Sequence, residues 1–241
     1  MNAVLELLGV SKQFGTLKVL DSLNVSVARG GALGVVGPNG AGKTTMLNIL
    51  AGDFRPTQGS VLFEGNDITT IPSHQRSRMG IGRTSQIPRP FEGLTVFENV
   101  LVAASFGHKN RISKVLQNET CIKVIEQVGM ISKVNMLAGR LTLLERKRLE
   151  LARSLALGPS VLLLDEIAGG LSEMEVLEII ETIKSIRETG VTIVWIEHIV
   201  HALLKVVDQL LAIDYGRVLM CGEPQQVMAS HEVRNIYMGT E

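Results

Sequence analysis

Eight consecutive residues, Gly37-Pro38-Asn39-Gly40-Ala41-Gly42-Lys43-Thr44, restrict what this chain can fold into more than any others. They spell G-x-x-x-x-G-K-T after an apolar run, Ala32-Leu33-Gly34-Val35-Val36, and before a helical pattern over 45–51 that stops at Gly52. A strand, a glycine turn and a helix start form the context in which such a loop grips phosphate. The glycines permit backbone angles closed to other residues, so that consecutive N–H groups can turn inward on an anion. The helix adds its free N–H groups, beginning near Thr45, and the positive end of its dipole. Lys43 is expected to reach the β- and γ-phosphates, and the Thr44 hydroxyl to ligate Mg²⁺. An ordinary glycine-rich turn would leave Lys-Thr at this place unexplained. The motif implies a bound nucleoside triphosphate.

A second motif complements it. Val161-Leu162-Leu163-Leu164-Asp165-Glu166 reads as a buried parallel strand whose end carries two carboxylates. Asp165 can hold Mg²⁺ opposite Thr44, and Glu166 can orient or deprotonate an attacking water. Taken alone, the pair would be an acidic strand cap at the surface. A similar apolar run, 191–196, precedes Glu197 and His198.

The remaining pattern fits an α/β chain. Residues 3–31 alternate as antiparallel strands, and another strand pair turns at Gly65-Asn66-Asp67. Residues from about 95 to 156 are helical by periodicity. Ser172-Glu173-Met174-Glu175 is a capping box opening a helix that ends at Gly190, and a final hairpin is placed at 213–218. With 241 residues and no linker or repeat, one domain with subdomains is expected. Lysine plus arginine equals aspartate plus glutamate at 24 each, so charge balance supplies no drive toward nucleic acid. Cys121 and Cys221 lack metal or redox spacing and read as reduced packing residues of a cytosolic protein. No signal peptide is visible, and the longest apolar region, 191–213, is broken by Glu197, His198, His201, Lys205 and Asp208.

The order of these motifs resembles the ATP-binding subunits of ABC transporters over essentially the whole chain. The resemblance rests on 37–44, Gln86 in Arg83-Thr84-Ser85-Gln86, the segment Leu141-Thr142-Leu143-Leu144-Glu145 before a basic helix, Asp165-Glu166, and His198. It implies a P-loop NTPase (RecA-like) core with an antiparallel β subdomain over 1–86 and 157–241, and a helical subdomain inserted at 87–156. It also implies that Phe14 stacks on adenine, and that Gln86 senses the γ-phosphate, Mg²⁺ and the lytic water. His198 would contact the γ-phosphate, and Thr142 would grip the phosphate bound by an opposing subunit. Glu197, His198 and His201 include an H-x-x-H pair that could share a helical face and bind metal, a rival reading with no third and fourth ligand at recognised spacing; His201 is read as an ordinary helix residue.

Three departures stand out. The family pattern L-S-G-G-Q becomes 141–145 with Leu143 and Leu144 in place of both glycines, putting side chains where bare backbone should meet phosphate. Ile167 stands where a proline commonly follows the carboxylate, and the loop 168–172 ends in Ser172 rather than Asp or Asn. The altered motif points to a second ATP-binding subunit of better pattern, a heterodimer rather than a homodimer.

Three segments look like the ATPases of branched-chain amino acid importers: His74 through Thr84, Thr95-Val96-Phe97-Glu98-Asn99-Val100, and Ile236-Tyr237-Met238-Gly239. That likeness implies a prokaryotic importer with separate transmembrane permease subunits and, indirectly, an extracytoplasmic solute-binding protein. The chain would then sit at the cytoplasmic face of the membrane, with Pro88-Arg89-Pro90-Phe91 as the permease contact. Other readings are a non-transport ABC ATPase, a small-molecule P-loop kinase, and a regulatory subunit that binds ATP with little turnover.

Overall fold

A computed structural model describes residues 3–107 and 113–238. Residues 108–112 of the expected helical insertion, and Gly239 of the importer-like ending, lie outside the described residues. The alternating N-terminal pattern forms two long strands, β1 (Ala3–Phe14) and β2 (Leu17–Ala28), followed by β3 (Ala32–Val36) and α1 (Lys43–Ala51). Next come β4 (Gln58–Phe63), β5 (Asn66–Asp67), α2 (Ser73–Met79) and β6 (Ile81–Arg83). Three helices then occupy the region that periodicity marked as helical: α3 (Val96–Gly107), α4 (Lys114–Gln127) and α5 (Leu143–Leu155). The chain continues through β7 (Val161–Asp165), α6 (Glu173–Glu188), β8 (Thr192–Ile196), α7 (Val200–Leu204), β9 (Gln209–Asp214), β10 (Arg217–Gly222), α8 (Pro224–Ala229) and α9 (His231–Met238).

These strands make two sheets. One is antiparallel in the order β2-β1-β4-β5; the other runs β10-β9-β3-β8-β7-β6 and is parallel except for the β9–β10 hairpin. Alternate residues of the central strands feed two cores. Leu162, Leu164, Ile193 and Trp195 face the helical side, whereas Val161, Leu163, Val194 and Ile196 face α1 and the antiparallel sheet. Burial on both faces explains why these strands read as unbroken apolar runs.

The fold carries one buried cation as a strut. Arg76 of α2 is 1% exposed and donates from Nη1 to the carbonyls of Ile49 (2.7 Å) and Leu50 (2.9 Å), and from Nη2 to Ile68 O (2.6 Å). Two of these carbonyls belong to the last turn of α1, where helical donors run out; Ile49 O also accepts from the capping Gly52 N–H at 3.2 Å. Burial pulls the Arg76 pKa down to about 10, against the attraction of Asp53 and Asp67.

Register decides where the chemistry gathers. Val35 pairs with Ile196, and Ile196 with Asp165, so three neighbouring strands end in one row. The loops that follow therefore bring Gly37, Glu166 and His198 together at the carboxyl edge of a parallel sheet, where ligands of such folds bind.

Candidate functional site

The glycine turn after β3 has the backbone its sequence requires. Gly37 and Gly42 sit at φ 153° and 104°. A Cβ on Gly37 would meet Ile213 O at 2.1 Å, and one on Gly42 would meet Leu20 Cδ2 at 2.6 Å. Gly42 caps α1, leaving the first helical N–H groups free to face an anion. The loop borders a cavity of about 180 Å³ lined by Val19, Asn39, Gly40, Ala41, Gly42, Lys43, Thr44, Thr45 and Glu166. The Lys43 ammonium is folded onto the loop, donating to Gly37 O (2.7 Å) and Pro38 O (2.9 Å). Burial holds its pKa below the usual value, with Glu166 and Asp165 pulling the other way.

A second cavity, about 310 Å³, shares Thr44 and is lined by Arg83, Ser85, Gln86, Ile87, Arg89 and Asp165. Asp165 is 3% exposed. Its Oδ2 accepts from Arg83 Nη2 at 3.2 Å, and Arg83 also holds Asp53 at 2.5 Å. Oδ1 is buried and has no hydrogen-bond donor among the described residues. Burial raises the Asp165 pKa; Arg83 and Lys43 oppose the shift and Glu166 adds to it. A buried carboxylate oxygen without a donor beside the exposed Thr44 hydroxyl is a hard-oxygen set suited to Mg²⁺.

Glu166 follows Asp165 at φ 47°, a left-handed angle uncommon outside glycine. Its two oxygens have separate partners: Oε2 accepts from Gln86 Nε2 at 2.6 Å, and Oε1 lies 2.8 Å from His198 Nε2. The structure thus brings Lys43, Thr44, Gln86, Asp165, Glu166 and His198 to one place from four segments. Glu197 is buried, and its oxygens take the backbone N–H groups of Ala168 and His198 at 2.9 Å each. Among the described residues no cluster of three His, Cys, Asp or Glu side chains is placed to hold a metal, so the H-x-x-H reading gains no partner.

Phe14 lies off the cavity's lining. It is 43% exposed, packs edge-on against Phe54 with ring centroids 5.5 Å apart, and has the Lys12 ammonium 4.8 Å above its ring. Thr142 is the N-cap of α5 in a full capping box with Glu145, its Oγ1 accepting from Glu145 N at 3.3 Å. The two leucines that follow behave differently, which corrects the expectation that both intrude on phosphate. Leu144 points into the core at 8% exposure, while Leu143 is 42% exposed. Helix phase is the reason: Leu144 lies three and seven residues before the buried Lys147 and Leu151, on the inner stripe. Cys221 is likewise exposed rather than packed in the core, unlike Cys121.

Sequence reasoning passed over Arg83 and Lys147 as individual groups and met Glu197 only beside the H-x-x-H pair. Lys147 is 3% exposed, with its Nζ 3.4 Å from Glu166 O. Burial lowers its pKa, and Glu197 then Glu166 draw it back up. A charge on the apolar stripe of an amphipathic helix was the available signal.

Comparison with known proteins decides the family: residues 20–169, more than half of the chain, match the ABC transporter family. The chain belongs to the ABC transporter ATPases. As a member it binds and hydrolyses ATP as the ATP-binding subunit of such a system. It is 33% identical to the high-affinity branched-chain amino acid transport ATP-binding protein BraF of Pseudomonas aeruginosa, over 98% of both chains. It is 32% identical to a probable branched-chain amino acid transport ATP-binding protein, LivG, of Archaeoglobus fulgidus, over 99% of this chain and 96% of that one. The lipopolysaccharide export ATP-binding protein LptB of Acidithiobacillus ferridurans is also 32% identical, over 100% and 99%. Among solved structures, an ADP-bound ATP-binding cassette of an ABC transporter superposes with a TM-score of 0.90 at 28% identity, covering 100% of both chains. A nucleotide-free cassette gives 0.90 at 26% identity, over 99% of this chain and 100% of the other. These likenesses fit the P-loop core with its mixed α/β layers. Among the described residues no helix is long and apolar enough to cross a membrane.

Proposed function

We propose that this ABC ATPase binds Mg-ATP on the 37–45 loop and uses Glu166 as the base for hydrolysis, powering uptake of a small solute through separate permease subunits. The observation that carries the reading is the placement of Glu166. It lines the phosphate cavity, and its carboxylate is held between Gln86 and His198. Lys43 leaves its loop carbonyls for the β- and γ-phosphates, whose charge exceeds that of two carbonyl dipoles. The free amides of the loop and helix start take the remaining phosphate oxygens.

Thr44 and Asp165 would hold Mg²⁺, with Gln86 at the rim; the ion supplies neutralisation of charge on the β- and γ-phosphates. Arg83 keeps Asp165 oriented from its other oxygen. His198 and Gln86 donate to Glu166, and a γ-phosphate competes for both donors. Their transfer to phosphate frees Glu166 to accept a proton from water. The water oxygen bonds to the γ-phosphorus, the bond to the β,γ-bridging oxygen breaks, and ADP departs with that electron pair.

The solute is a branched-chain or related amino acid, a reading supported by the names of the BraF and LivG relatives. Because LptB is equally similar, uptake must be measured directly. The subunit sits peripherally on the cytoplasmic face of its membrane, against permease helices. Ile87 at 69% and Phe91 at 48% exposure form the contact, stiffened by Arg153 above the Phe91 ring and bonded to Arg89 O. Phe14 stacks on the adenine. A second ATP-binding subunit completes the site, and Leu143 favours a partner whose own pattern keeps its glycines.

Glu166→Gln tests the assignment. The variant keeps ATP affinity within about threefold and loses at least roughly 100-fold in turnover. Wild-type turnover in that variant removes Glu166 from the reaction.

A further inference from the structure

Two buried charges beneath the site have no part in the chemistry described so far. Glu197 is 1% exposed, and its two oxygens go to different turns: Oε2 to the N–H of Ala168 and Oε1 to the N–H of His198, each at 2.9 Å. Lys147, 3% exposed on α5, reaches the carbonyl of Glu166 at 3.4 Å, and Glu197 is the foremost charge that supports its protonation. We propose that Glu197, with Lys147 as its buried counter-charge, is a positioning residue for hydrolysis, stapling the turn that carries Glu166 to the turn that carries His198.

A buried carboxylate is costly unless hydrogen-bonded and near opposite charge, and Glu197 has both. A forked acceptor can fix two separate backbone turns at one distance, which an apolar or singly branched residue at the strand end cannot. Finally, Glu166 is held at φ 47°, a strained angle that persists only when its surroundings over-determine it. Ile167 brings no proline ring to stiffen that turn, so the fixing falls to hydrogen bonds. These are Glu166 N to Ile196 O and Gly169 N to Glu166 O, joined by the contacts of Glu197 and Lys147. Lys147 also ties the turn to the helix that Thr142 caps, so movement of that helix reaches Glu166 by a direct path.

The role rests on Glu166 being the base, and the experiment separates the two. Single-turnover hydrolysis of bound Mg-ATP by excess full-length chain is measured for wild type, E166Q, E197Q, E166Q/E197Q, K147M and K147M/E197Q, with ATP affinity and Tm alongside. E197Q is expected to slow hydrolysis roughly 30–100-fold with affinity within about threefold, the cost of misplacing a reacting group by about 1 Å. In the E166Q background the same change is expected to add less than about twofold, since its effect passes through Glu166. K147M/E197Q, with neither charge left, is expected to regain most of the Tm lost in E197Q while staying slow. A wild-type rate in E197Q, an equal loss in both backgrounds, or recovery of rate together with Tm overturns the positioning role. Equal rates in wild type and E166Q overturn instead the assignment of Glu166.

Discussion

The Nε2 atom of His198 lies 2.8 Å from Oε1 of Glu166, although 32 residues separate the two in sequence. The pairing of Ile196 with Asp165 brings them side by side, because each residue follows closely on one member of that pair. The contact places a hydrogen-bonding ring on the carboxylate proposed as the base. His198→Ala should therefore lower turnover by about 10–100-fold and leave ATP affinity nearly unchanged, as expected for a residue acting on the γ-phosphate and its water. Steady-state ATPase and equilibrium nucleotide titration check it together; an affinity loss equal to the turnover loss would assign His198 to uniform binding instead.

The two leucines of the altered 141–145 pattern should separate in experiment. Leu144→Gly removes a core side chain and inserts a helical glycine, at a cost of about 3–5 kcal/mol. Leu143→Gly changes an exposed first-turn residue and should cost less than about 1 kcal/mol. Only Leu143→Gly should raise ATP hydrolysis by the chain at high concentration, because it alone clears a surface open to an opposing phosphate. Thermal melts and concentration-dependent ATPase assays report both effects.

Arg76→Leu should destabilise the fold by roughly 1–3 kcal/mol, since the buried Leu50 carbonyl loses its donor while those of Ile49 and Ile68 keep only the backbone N–H groups of Gly52 and Ile71. Denaturant unfolding measures it. A change below about 1 kcal/mol would mean that these carbonyls find other donors.

The raised pKa of Asp165 gives the protein a signed pH dependence of stability. Burial pushes this carboxyl above its ordinary 3.8, with Arg83 and Lys43 opposing and Glu166 assisting. Between 3.8 and the raised value, the folded chain holds a proton that the unfolded chain has released. Stability from this group is thus full below 3.8 and declines as pH rises through that window. Asp165→Asn has no such titration, so its Tm minus that of wild type should increase from about pH 4 toward neutrality. A difference that is flat or falls with pH would contradict the shift.

Local patterns in the sequence were legible where one segment sufficed. The glycine loop, the acidic end of β7, the Ser172 capping box and the 213–218 hairpin each declare themselves within a few residues. Glu197 and Arg83 did not, because their partners lie 29 and 82 residues away and only strand register unites them. Leu143 and Leu144 looked equivalent as letters, yet helix phase sends one outward and the other into the core. Lys147 carried a readable sign, a cation on the inner stripe of α5, whose meaning depended on the turn beneath it.

The most direct measurement is the structure of the Glu166→Gln protein crystallised with Mg-ATP. The proposed chemistry predicts density for the triphosphate along the amides of 39–45, Lys43 swung from Gly37 O to the phosphates, and a metal between the Thr44 hydroxyl and Asp165. Nucleotide bound away from this loop, or a Lys43 still resting on its carbonyls beneath an ordered triphosphate, would contradict it.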